Sequence, residues 1–239
     1  MLARSCRAMA VLVLTCSTAV SAAPVYSFAN SYPEDSLGMI YIQRHMQAIC
    51  KEAQIRCTIT ELPLRRSQAM LANRTLDGDI GRVPGFARQS GNILVDTPVI
   101  TVSTYAFTRA DAPAAASWEQ LAAHQRSVAY RRGVYVYQKR LESMAATLRP
   151  HDVPDSVSCV EVVIRGHDDA CLLDSGAITP AIKARIPPLV MQGPLEAMDL
   201  YIVVNAGNEK LARTLKSAMD RLRARGVPQQ LERELQRAK

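Results

Sequence analysis

No apolar run in this chain is long enough to cross a bilayer. The run from Ala8 to Leu14 falls far short of the roughly 20 residues that a spanning helix requires, and no second hydrophobic span follows, which excludes a helical integral membrane protein. Metal-ligand spacing is missing too. Neither the cysteines nor His45, His124, His151 and His167 sit in the close pairs that a zinc site uses, so no metal and no cofactor is expected. Basic and aromatic residues are nowhere interleaved, which argues against a nucleic-acid platform. Low-complexity tracts are absent, and with 48% hydrophobic residues the chain has ample material for packed cores.

What is present begins with an export signal. Arg4 and Arg7 precede the short apolar run, and small residues follow from Ser17 to Ala23, the three-part build of a secretory signal peptide spanning residues 1–22. Cys16 is not expected to carry lipid, because Val13-Leu14-Thr15 before it lacks the small residue of a lipoprotein signal. Cleavage after Ala22 leaves about 217 of the 239 residues and takes the formal charge from +7 to +5. In an exported protein this basicity bears on encounter with anionic surfaces or acidic ligands, not on fold. The expected location is the periplasm.

Cysteine usage agrees with export. Cys50, Cys57, Cys159 and Cys171 remain after processing, and an even count in an oxidising compartment argues for disulfides. Of three connectivities, Cys50 to Cys57 and Cys159 to Cys171 are favoured, because each joins a helix to the strand after it.

One phrase occurs twice: an amphipathic helix, a polar turn, and a short strand opening on aspartate. Its copies are Ser67 to Gly81 and Val160 to Asp174, with turns leading into Asp77-Gly78-Asp79-Ile80 and Asp169-Ala170-Cys171-Leu172. Two such units imply an α/β fold of two similar lobes with a ligand cleft between them. Around them the pattern predicts strands at Val25 to Ala29, Arg56 to Leu62, Val99 to Thr108, Ser127 to Tyr130 and Leu200 to Val204. Helices are predicted from Met39 to Ala53, near Trp118 to His124, from Tyr135 to Leu148 and from Glu209 to Arg225, while Arg82 to Asn92 reads as a loop. Thr104 to Thr108 leaves the first lobe and Leu200 to Val204 returns to it. The expected division is residues 23–108 plus 196–239 for lobe 1 and 109–195 for lobe 2, joined by a two-strand hinge.

The order of these pieces resembles the extracellular solute-binding proteins of family 3, the amino-acid-binding kind, with the type II periplasmic binding protein fold. The resemblance rests on Ser117-Trp118-Glu119-Gln120-Leu121 with Ser127-Val128-Ala129-Tyr130-Arg131-Arg132-Gly133, on Ile164 to Ser175, and on Asn208-Glu209-Lys210-Leu211. It implies that Asp174 holds a ligand ammonium and that an arginine after the first unit holds a carboxylate. Arg82 and Arg88 are both candidates for that arginine, since Arg82-Val83-Pro84-Gly85-Phe86-Ala87-Arg88 replaces the family's threonine-x-x-arginine signature; Asp96-Thr97-Pro98 is similar to its serine-aspartate-proline element. The residues themselves support this chemistry, because a guanidinium offers paired donors to a carboxylate. N–H groups after Gly133, at Val134 and Tyr135, open a helix toward an anion, and Tyr32 covers the apolar part of a ligand. The resulting expectation is a monomeric, non-enzymatic capture protein for a small anionic or zwitterionic molecule, read by an ABC permease or a membrane sensor. A secreted dehydratase or lyase on the same scaffold and a ligand-free accessory module are the rival readings.

Overall fold

A computed structural model describes residues 24–237; the signal peptide expected at 1–22 lies outside the described residues. The chain runs β1 (Val25–Asn30), α1 (Leu37–Glu52), β2 (Arg56–Glu61), α2 (Leu64–Ala72), β3 (Gly78–Arg82), α3 (Pro84–Ser90) and a long β4 (Ile93–Arg109). It continues with α4 (Trp118–His124), β5 (Ser127–Arg131), α5 (Tyr135–Ser143), β6 (Arg149–Val153), α6 (Ser156–Ile164), β7 (Ala170–Asp174) and α7 (Pro180–Arg185). A long β8 (Leu189–Val204), α8 (Glu209–Ala224) and α9 (Val227–Arg237) complete it. The eight strands form one hydrogen-bonded sheet in the order β2-β1-β3-β8-β4-β7-β5-β6.

The sheet is two similar halves joined by two shared strands. β1 pairs in parallel with β2 and β3, and β5 pairs in parallel with β6 and β7. Between the halves run β4 and β8, antiparallel to each other and to the flanking β7 and β3. Each half is one lobe with its own core. Phe28, Ile42, Met46, Ile49, Ile202 and Leu215 are fully buried in the first; in the second, Leu121, Val128 and Leu141 pack on one face of the sheet and Phe107, Val160 and Val163 on the other. Both copies of the repeated phrase are helix-turn-strand units in equivalent places, with β3 and β7 each set between a parallel neighbour and a long antiparallel strand. The disulfides join Cys50 to Cys57 and Cys159 to Cys171.

Several elements differ from the pattern in the sequence: β4 begins at Ile93 and not Val99, α5 ends at Ser143 and not Leu148, and β6 and α7 stand where the pattern predicts no element. The stretch after Arg82 contains the helix α3, with Pro84 in its first turn and Gly91 as a left-handed C-cap at φ 68°. Pro and Gly read as loop signals, yet they stand where a short helix carries them. β8 begins at Leu189, eleven residues before the apolar run at Leu200, and its early part already pairs with β4, Arg109 facing Leu189 and Thr104 facing Glu196. The return between lobes therefore precedes Leu200. The register shifts between Thr104 and Ala106, where Gly193 at φ 110° lets β8 bulge. The segment after Gly226 is the eleven-residue helix α9, with Val227, Leu231 and Leu235 against the first core. Among the described residues no helix is long and apolar enough to cross a membrane.

Candidate functional site

Ligands of α/β sheets collect where the carboxyl ends of parallel strands meet. Here β1, β3, β5 and β7 end in Asn30, Arg82, Arg131 and Asp174, all of which line one cleft between the lobes. The cleft is nearly shut. Its free volume of about 50 Å³ is room for one or two waters, so a larger guest enters only when the lobes part or the lining turns.

Tyr32 and Asp174 tie the lobes across this cleft. The Tyr32 hydroxyl donates to Asp174 Oδ1 at 2.7 Å, and the same oxygen accepts the N–H groups of Gly176 at 2.9 Å and Ala177 at 3.1 Å. Two glycines make room for the ring: a Cβ on Gly38 or on Gly176 would lie 2.7 Å from Tyr32 ring carbons, so any larger residue there expels it. Burial raises the Asp174 carboxyl above its ordinary range, opposed by the Tyr32 hydrogen bond, by the Arg131 charge and by the two N–H groups. Burial, then the Asp174 charge, pushes the Tyr32 and Tyr137 hydroxyls well up.

Arg82 stands at the end of β3, and a local irregularity decides what it meets. Residues three apart in a regular strand face opposite ways; here Gly81, at φ 92°, breaks the register between Ile80 and Arg82 and returns Arg82 to the side of Asp79. Arg82 Nη2 donates to Asp79 Oδ2 at 2.5 Å, to Ser67 Oγ at 2.7 Å and to the Leu64 carbonyl at 3.3 Å. The guanidinium carbon stacks 4.5 Å above the Phe86 ring. Both charged side chains are almost wholly buried, at 3% and 2% exposure. Arg82 Nε has no acceptor among the described residues.

No family model matches the sequence, and no curated protein matches it. Solved structures match over nearly the whole described chain. An ancestral arginine-binding protein bound to glutamine superposes with a TM-score of 0.72 at 13% identity, covering 90% of this chain and 99% of its own. A Salmonella typhimurium periplasmic binding protein of high arginine specificity gives 0.70 at 18% identity, with 89% and 99% covered. A histidine kinase sensor domain similar to periplasmic binding proteins gives 0.71 at 17% identity, with 89% and 96% covered. This chain has the two-lobed periplasmic binding protein fold.

Within that binding-protein fold, Tyr32, Arg82, Val134, Tyr135 and Asp174 of the expected site residues line the interlobe cleft together. Three others lie elsewhere. Arg88 is exposed in the last turn of α3. Thr97 is buried in lobe 1, its Oγ1 donating to Asp220 Oδ1 of α8 at 2.7 Å. Gly133, at φ 85°, brings its turn against α2 of the other lobe, where a Cβ would meet Leu64 Cβ at 3.0 Å, but it does not line the cleft. The Val134 N–H is occupied by the Arg131 carbonyl at 3.3 Å. Among residues that carried no site role in the sequence, Arg131 is the most consequential. Its Nη1 donates to the Ser31 carbonyl and its Nη2 to Ser31 Oγ at 3.2 Å. A charged residue closing the otherwise buried strand β5, two places before a glycine turn, was the available signal.

Proposed function

We propose that this protein captures a small anionic or zwitterionic, amino-acid-like molecule in the interlobe cleft of the periplasm and presents its closed form to an ABC permease or a membrane sensor. The observation that carries the reading is the unspent polarity of one small cleft. A nearly buried Arg82 Nε without an acceptor and an Arg131 bound only to neutral oxygens share its walls with the carboxylate of Asp174. An unpaired buried donor costs roughly 1–3 kcal/mol, which even a neutral acceptor on the ligand relieves. The similar proteins bound to arginine or glutamine support an amino-acid-like ligand. In this reading residues 23–108 plus 196–239 and residues 109–195 move as two lobes of a secreted monomer after signal cleavage, with no catalytic step and no cofactor. A ligand favours closure only by its differential contact with the closed state, so it has to replace the Tyr32–Asp174 and Arg131–Ser31 contacts with better ones.

The test is the melting temperature of the mature, oxidised protein, unfolded and refolded to strip carried ligand, against amino acids, small carboxylates and amines. A ligand at about 100 times its Kd stabilises by about 2.7 kcal/mol. Asp174→Ala is expected to abolish the shift, and a flat response across the panel overturns the capture reading.

A further inference from the structure

Resting on that capture reading, we infer that Arg131, at the end of β5 in lobe 2, holds the carboxylate of the ligand, and that Arg82 does not. Two guanidinium groups line the cleft, and their partners differ in kind. Arg82 already has a carboxylate, Asp79 at 2.5 Å, sealed with it inside lobe 1. A second anion placed against Arg82 sits beside the Asp79 charge in a medium that screens poorly, so much of the attraction is cancelled. Arg131 has no carboxylate partner among the described residues. Its bonds go to the carbonyl and hydroxyl oxygens of Ser31 alone.

The Ser31 contact has the form of a stand-in. One residue offers two oxygens to the two terminal nitrogens of one guanidinium, the paired pattern that a carboxylate makes with the same fork. Ser31 belongs to the segment after β1, in the opposite lobe, so the contact is released whenever the lobes part. A carboxylate entering then replaces two neutral acceptors with charged ones, which is the stronger arrangement. α5 begins beside it with no side-chain cap, and its first residues, Tyr135 to Tyr137, line the same cleft; a carboxylate at Arg131 also gains from that helix end.

The assignment puts both ligand poles, Arg131 and Asp174, on lobe 2. Lobe 1 then closes over the bound ligand with the segment of Ser31 and Tyr32, whose present contacts to Arg131 and Asp174 the ligand takes over. The ligand class that follows is a carboxylate with a nearby donor, preferred over the amide of the same shape.

Calorimetric titration of the refolded protein with L-alanine against L-alaninamide, L-glutamine against L-glutaminamide, and L-arginine against L-argininamide, pairs that differ only at the carboxylate, reads this directly. The carboxylate member of the binding pair is expected to be favoured by roughly 10- to 100-fold, the worth of charge-assisted hydrogen bonds. Arg131→Met is expected to erase that preference, while Arg131→Lys, which keeps the charge without the fork, retains part of it; Arg131→Gln replaces the methionine variant if that one fails to fold. A loss of overall affinity alone would fit a merely structural arginine, but loss of the carboxylate-over-amide ratio would not. If the wild type binds, Asp174→Asn abolishes binding and the ratio survives in Arg131→Met, the Arg131 assignment falls while the capture reading stands. If no member binds the folded wild type, both fall.

Discussion

The end of β3 in lobe 1 and the end of β7 in lobe 2 are the same structural position used in opposite ways. Both units open with the same clasp. Asp77 accepts the Ser27 N–H at 2.8 Å and Ser27 Oγ at 3.0 Å, and Asp169 accepts the Ser127 N–H at 3.0 Å and Ser127 Oγ at 3.4 Å, each tying its turn to the parallel strand beside it. At the same interval beyond, one strand ends in Arg82 and the other in Asp174. Arg82 is neutralised within its own lobe by Asp79, whereas Asp174 is held by neutral donors, one of them Tyr32 of the other lobe. A charge sealed inside one lobe keeps its partner when the lobes part; a charge whose partner sits across the cleft is free to exchange it. The difference separates a structural ion pair from an exchangeable pole.

Removing the partner from each is the strongest way to break this contrast. Asp79→Asn strands a buried guanidinium, and losing one member of a buried pair is expected to cost about 3–5 kcal/mol in urea unfolding, much of it recovered by the apolar pair Asp79→Leu with Arg82→Met. Asp174→Asn is expected to behave otherwise. Since burial raises this carboxyl, its ionised form is the costly one in the fold, so stability is lost as pH rises through the carboxylate range. The amide removes that loss, and the apo protein at neutral pH should be no less stable than the wild type while ligand response vanishes. Equal destabilisation by the two substitutions would make Asp174 as structural as Asp79.

The clasps offer a smaller effect and a sharper symmetry. Asp77→Ala and Asp169→Ala each lose hydrogen bonds to a carboxylate, worth roughly 1.5–3 kcal/mol. Asp169 additionally accepts the Arg126 N–H at 2.9 Å, so its variant should show the larger drop in urea midpoint. The reverse order would mean that the two units are alike in outline but not in energetics.

The repeat was legible because each copy combines a helical apolar period with a turn and an aspartate whose role is local. Both disulfides were legible for a similar reason, since each closes a short loop between a helix and the strand after it. The hinge was only partly so: Met191-Gln192-Gly193-Pro194 carries turn residues inside a strand, and only pairing with β4 reveals that β8 has already begun. Asp174 and Tyr32 could be proposed singly, but their contact spans most of the chain and depends on Gly38 and Gly176, which no local pattern connects. The Asp79–Arg82 pair was hidden by the period-two rule itself, which separates them until Gly81 breaks the strand.

The smallest effect concerns acid, and it should strike one lobe first. His45, on α1 of lobe 1, is 2% exposed and donates from Nδ1 to the Val99 carbonyl at 2.9 Å, leaving Nε2 without a partner among the described residues. Burial lowers its pKa below the ordinary value of 6.5, with the carbonyl hydrogen bond opposing. The neutral ring is thus the form that fits, while the unfolded chain takes up a proton first. Stability is complete above about pH 6.5 and falls as pH drops below it, by up to about 1.4 kcal/mol for each unit of depression. In lobe 2, His151 is half exposed and faces Asp168 Oδ2 at 2.6 Å. Hydrogen exchange at about pH 7.5 and about pH 5.5 should therefore show protection lost in α1 and in the Val95 to Val102 part of β4 before β5 and β7, and His45→Gln should remove that pH dependence. Earlier loosening of lobe 2, or an unchanged pH response in the variant, would place the acid sensitivity outside lobe 1.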